Sequence, residues 1–159
     1  MKLSWDNLKI SIAGARLSHL VQKDKIWDHG SMVELVKNIF YKIEKAKKQM
    51  NAEGTKRSLT VNANEQLKQL IAKTADRELF LRNAVVTEIS IIKVNAQKNK
   101  NPDRFTVLIK GKRKTVESKS IQILASGDDA DKYQHGIESF SEKWFFIRQG
   151  DWWLLDEMK

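Results

Sequence analysis

The apolar positions of this chain change their period once, near Asn83, and that change divides it into a helical first half and an extended second half. Residues 4–22 carry Trp5, Leu8, Ile12, Ala15 and Leu20 at loose helical spacing. Leu8-Lys9-Ile10-Ser11-Ile12 also alternates as a strand would, and the longer window favours a helix. The next segment is plainer. Ser31 followed by Glu34 has the form of a capping box, and Met32, Leu35, Val36, Ile39, Phe40, Ile43, Ala46 and Met50 then recur on one helical face. Lys42, Lys45, Lys47 and Lys48 crowd its last turns, where a helix end favours cations, and Asn51–Thr55 ends it. Leu67, Leu70, Ile71, Leu79 and Phe80 predict a further helix over 62–81.

Beyond Asn83, Val85, Val86, Ile89, Ile91, Ile92 and Val94 form a β-branched run. After the turn residues Asn99–Asp103, Phe105–Lys110 resumes in extended style, so the two runs predict paired strands. Alternation along the second strand puts Phe105, Val107 and Ile109 on one face and Lys110, Lys112 and Lys114 on the other. Ile121 and Ile123 suggest another short strand, and Gly127–Gly136 a polar loop. At the end of the chain, a two-residue turn at Gln149-Gly150 would pair Arg148 with Asp151, Phe146 with Trp153, Trp144 with Leu155 and Lys143 with Asp156. The same register opposes Glu142 to Glu157, which predicts fraying or a bulge there. It also sets Phe145 and Ile147 against Leu154 and Trp152, so both faces of the hairpin are largely apolar and both need cover. Helices first and antiparallel strands afterwards, with no βαβ rhythm, predict an α+β domain whose N-terminal helices pack on a curved antiparallel sheet.

Composition narrows the class. The chain has 159 residues, 41% hydrophobic and 31% charged, with one proline and no cysteine. One globular, soluble domain is expected, and thiol nucleophiles, disulfides and thiolate zinc sites are excluded. No apolar run is long enough to span a bilayer and no signal core opens the sequence, so a cytoplasmic or peripheral membrane location, at the inner face, is expected. The net charge of +9 is unevenly spread: residues 93–119 hold 9 basic and 2 acidic residues, residues 120–159 hold 4 and 8. Arg104, Lys110, Lys112 and Lys114 are thus a candidate surface for an anionic partner, either lipid headgroups or RNA. A solvated strand edge kept soluble by lysines is the plainer reading of the same residues.

Candidate chemistry is sparse. His19, His29 and His135 are scattered, and Asp128, Asp129, Asp131 and His135 match no established ligand spacing, so no metal, cofactor or catalytic residue is assigned. Gly111–Thr115 lacks the upstream glycine and the Lys-Ser/Thr order of a phosphate loop. Phe40, Phe140, Trp144, Phe146 and Trp153 are expected in the core or lining a pocket. Glu142 and Arg148 share a strand face with Trp144 and Phe146, as rim ion pairs or as a polar end for a ligand. Trp152 falls on the opposite face, where it would anchor a partner or a homodimer.

The hairpin also carries a resemblance. Phe140-Ser141-Glu142-Lys143-Trp144-Phe145-Phe146-Ile147-Arg148 followed by Trp153-Leu154-Leu155 resembles the F-x-E-x-W-x-F-x-R…W-L-L signature of the TIM-forty-four-like family. That family includes the C-terminal domain of the mitochondrial inner-membrane import-motor tether, a mitochondrial large-subunit ribosomal protein and bacterial relatives. Trp27-Asp28 with Val33, Val36 and Ile39–Ile43 resembles its first long helix, although Ala46-Lys47-Lys48-Gln49-Met50 stands where relatives show an Ala-Trp pair and an Asp. The likeness implies a family domain over 27–159 behind an N-terminal helical extension over 1–26. It also implies a cystatin-like, nuclear-transport-factor-two-like cone with an apolar pocket between helices and sheet. The function so implied is non-enzymatic: an adaptor that docks a protein partner or anionic lipid. A ribosome- or RNA-associated protein and a small-molecule enzyme or carrier of the same fold are the alternatives.

Overall fold

The computed structural model describes residues 4–73, 83–97, 101–115 and 136–159. Three N-terminal helices pack on a four-stranded antiparallel open sheet, an α+β architecture: α1 (Trp5–Lys23), α2 (His29–Gln49) and α3 (Val61–Lys73), then β1 (Ala84–Asn95), β2 (Arg104–Thr115), β3 (Gly136–Gln149) and β4 (Trp152–Met158). The sheet order is β1-β2-β3-β4, each strand pairing with its neighbour in sequence. Most of the expected elements are present. The segments around Ile121 and Ile123, the acidic loop with His135, and the last turns expected of the third helix lie outside the described residues.

Local chemistry sets the helix ends. Ser4 caps α1 by accepting the Asn7 N–H at 3.1 Å. The capping box read at Ser31 and Glu34 is displaced by one turn: Asp28 is the cap of α2, and its Oδ2 accepts both the N–H of Ser31 (2.9 Å) and its hydroxyl (2.7 Å). An ionised carboxylate is a stronger acceptor than a hydroxyl, so Asp28 starts the helix and Ser31 becomes its third residue. At the other end Met50 takes a left-handed conformation (φ 55°) and its N–H returns to the carbonyls of Ala46 and Lys47.

One face of the sheet, here the front, carries α2. Along β2 its row is Phe105, Val107 and Ile109, and along β3 Trp144 and Phe146, all buried. Val36, Phe40 and Ile43 of α2 are buried against this face, with the Phe40 ring 5.6 Å from Trp144 and 5.8 Å from Phe140. A second aromatic chain runs Trp27 to Trp153 (5.0 Å), Trp153 to Phe105 (4.8 Å) and Phe105 to Phe146 (4.7 Å). Its polar edge is satisfied, because the Trp153 indole donates to the Ile26 carbonyl at 3.1 Å. Ala13 and Leu17 of α1 belong to the same core, and α1 lies against β1.

The closing hairpin keeps the expected faces but not the expected register. The turn residues are Gly150 and Asp151, so Arg148 faces Trp153, Ile147 faces Leu154 and Phe146 faces Leu155. The reason is the turn itself: a tight two-residue hairpin needs a positive φ at its first central position, and Gly150 supplies it at φ 62°. A bulge between Phe145 and Phe146 then shifts the pairing to Phe145 with Glu157, which removes the opposed glutamates. Asp156, set out by that bulge, receives the Thr60 hydroxyl at 2.8 Å. The outer edge of β4 is closed by 58–60, through Leu155 N–H to Ser58 and Thr60 N–H to Leu155, both at 2.9 Å. Gln66 continues that closure onto Met158.

Gly111 explains the one break in the front row of β2. A Cβ there would meet the Val85 carbonyl and sit 2.5 Å from the Phe140 ring, which covers the glycine and stacks on Phe40. Gly111→Ala therefore lowers stability by about 1–3 kcal/mol in urea unfolding, the usual cost of overpacking. Gly14, inside α1 with nothing within 4 Å of its missing Cβ, gives the opposite result: Gly14→Ala raises stability by about 0.5–1 kcal/mol.

Candidate functional site

The alternation that fills the front of the sheet leaves a cationic back. Arg104, Lys110, Lys112 and Lys114 all project from the back of β2 and all are exposed. Two are loosely paired, Arg104 with Asp156 and Lys110 with Glu88, each at 3.8 Å. Lys112 and Lys114 have no carboxylate within 4 Å among the described residues. The interleaved Arg113 belongs to the front, 3.7 Å from Glu44 and over the Phe140 ring at 4.8 Å. Register adds Lys93 of β1 and Lys143 of β3 to the back, beside Phe145, Ile147 and Leu154. Val85 and Ile137 stand exposed on the same face, by 57% and 70%.

The aromatic residues expected in a core or pocket fill the interior. Phe40, Trp144, Phe146 and Trp153 are buried, and Phe140 is half-buried over Gly111. None of the five lines any of the three surface hollows described here. Glu142 accepts the Trp144 indole N–H at 3.0 Å, which satisfies a buried donor. Arg148 is the hub of an ion cluster: Nη1 reaches Asp24 at 2.7 Å and Asp103 at 3.0 Å, Nη2 reaches Asp151 at 3.5 Å, and Nε donates to the Gly150 carbonyl. It thereby joins the end of α1, the connection before β2 and the hairpin turn. The guanidinium's hydrogen bond holds the Asp24 carboxyl below its usual range, and Asp24 in turn raises Arg148 further.

Trp152, the first residue of β4, pairs with Gln149 and is 58% exposed, but at the α2 side of the hairpin rather than on the face away from the helices. It also lines an open hollow of about 670 Å³ beside the first turns of α2, with Leu35, Asn38 and Lys42. Asp28 in that lining is held ionised, below the usual carboxylate range, by the Ser31 hydroxyl and N–H, which is its capping role.

A groove of about 430 Å³ between α1 and the sheet was not foreseen from the sequence. Lys9 and Arg16 border it from α1, and Lys93 and Lys143 from β1 and β3. The signal was faint but present: Lys9, Ile12 and Arg16 fall on one helical face, and Lys93 and Lys143 occupy like-facing strand positions. Only the packing of α1 on β1 brings the two sets together.

Comparison with known proteins adds little beyond this geometry. No protein-family model matches the chain, and no curated protein sequence is recognisably similar to it. Among solved structures it is similar to one described as the intermembrane space region of the chloroplast protein ARC6, over 80% of this chain and 94% of that one, at 12% identity and a TM-score of 0.48.

The Arg148 cluster sets a pH dependence. Asp24's pKa is depressed in the folded state, so its contribution is present above the unfolded carboxylate pKa and is lost as pH falls through the lower, folded value. Arg148→Met thus costs about 2 kcal/mol at neutral pH, the loss of charge-assisted hydrogen bonds discounted for partial exposure. The gap between wild type and variant in urea midpoints narrows on acidification towards pH 3.

Proposed function

We propose that this chain is a non-catalytic binding domain that docks on anionic lipid headgroups at a membrane surface through the back of its sheet. One observation carries the reading: four cations, Arg104, Lys110, Lys112 and Lys114, share that face with exposed Val85 and Ile137. Positive charge next to an anionic leaflet contributes about 1 kcal/mol per Lys or Arg. Exposed aliphatic side chains among the lysines suit the boundary between headgroups and acyl chains, where apolar and charged groups are both accommodated. The resemblance of the closing hairpin to a family of adaptor domains supports the same reading by analogy. Among the described residues no helix is long and apolar enough to cross a membrane, so the contact proposed is peripheral.

Vesicle co-sedimentation tests it. Wild-type protein pellets with phosphatidylcholine vesicles that contain phosphatidylglycerol, and does so less as salt is added. The triple variant Lys110→Glu, Lys112→Glu, Lys114→Glu loses at least about tenfold in affinity, since each reversal removes an attraction and adds a repulsion. Equal pelleting by wild type and variant, or a salt-dependent shift of RNA with no pelleting at all, overturns the proposal.

A further inference from the structure

From the groove between α1 and the sheet we infer a second binding site, distinct from the lysine row of β2, that takes a single-chain anionic amphiphile: a phosphate or carboxylate head on one acyl chain. The site combines two features that ordinarily exclude each other. Its apolar floor is made of Ile12 and Ala13 of α1, Ile92 and Val94 of β1 and Phe145 of β3. Its polar border consists of the cations Lys9, Arg16, Lys93 and Lys143 with the neutral Thr106, and no carboxylate is in the lining. None of the four has a carboxylate within 4 Å among the described residues. Lys9 lies 6.0 Å from the Trp5 ring centroid, and Glu157, across from Phe145, is engaged by Lys159 at 3.5 Å.

Four like charges around an apolar recess repel one another and leave the recess wet. An anion among them relieves the repulsion, and an attached hydrocarbon chain displaces water from the floor, so head and tail each complete what the other leaves unsatisfied. Size selects the class of ligand. About 430 Å³ falls within the range of small-molecule sites, roughly 300–1,000 Å³. A stable protein interface needs a patch of about 800 Å² on each partner, far broader than this recess. A bilayer surface presents many heads to a flat face, whereas α1 walls this groove on one side. Leu8, one turn before Ile12 and 44% exposed, continues the apolar floor outward and gives a longer chain somewhere to lie.

Titration calorimetry with dodecyl phosphate, held below its micelle concentration, is the test, with inorganic phosphate as the head alone and dodecyl maltoside as a tail without charge. The expected result is saturable binding of one dodecyl phosphate per chain, with both comparators at least about tenfold weaker, or some 1.4 kcal/mol. Lys93→Glu with Lys143→Glu weakens it to a similar extent. Ile12→Asp, at a position 54% exposed and so harmless to folding, does the same by placing a carboxylate on the floor. The Lys110/Lys112/Lys114 variant binds dodecyl phosphate as wild type does, while its vesicle binding falls, so the two proposals stand or fall separately. Inorganic phosphate binding as tightly as the amphiphile, binding indifferent to both groove variants, or an acidic amphipathic peptide occupying the groove where dodecyl phosphate does not would each overturn the inference. Unchanged circular dichroism and thermal midpoints in the variants ensure that a loss is a loss of the site.

Discussion

The structure depends on burying α2 against a sheet face whose aromatic rings are joined from strand to strand. Val36 and Ile43 are wholly inaccessible, and Phe40 lies between Trp144 and Phe140. Large rings remove the most apolar area from water per residue, and stacked or edge-on neighbours fix where each ring sits. The chain Trp27, Trp153, Phe105 and Phe146 then ties the entry to α2 to the closing hairpin, with the indole of Trp153 anchored on the Ile26 carbonyl. Once that face is filled, alternation leaves β2 no choice about its other side: lysines two positions apart all turn outward.

Polar groups do the locating. Arg148 gathers Asp24, Asp103 and Asp151 from three separate segments, and Asp156 takes the Thr60 hydroxyl beside the edge of β4. These contacts contribute less than the core, yet they decide which ends meet. They also manage the sheet's liabilities. The outer edge of β4 is paired by 58–60, and α1 lies along β1, so neither edge is a long bare template for another chain. The lysines on the back of β2 are exposed for the opposite reason, since ammonium groups are better solvated than packed.

The two proposed binding surfaces differ in physical kind. The row on β2 is a charged plane whose attraction is long-ranged and weakened by salt. The groove under α1 is a recess in which charge and apolar contact act together over a short range. A domain with both would hold a headgroup layer across its sheet and a single amphiphile beside its first helix, and neither role needs a catalytic group.

Period-two and helical spacing determined the helices, the strands and the two faces of each strand, because these depend on residues a few positions apart. Hence the lysines of β2, the buried Phe105, Val107 and Ile109, and the apolar back of the hairpin were all legible in the chain. The register of the hairpin was not, because it turns on a positive φ at Gly150 and a bulge that seats Asp156 near Thr60. The cap of α2 passed from Ser31 to Asp28 because acceptor strength, not the motif, decides which side chain holds the free N–H groups. The groove left only a faint trace, the shared helical face of Lys9, Ile12 and Arg16. Lys9 and Arg16 lie some 80 residues from Lys93 and 130 from Lys143 in sequence, and only the packing of α1 on β1 brings them round one apolar floor, since sequence records spacing along the chain but not which distant segments desolvate each other.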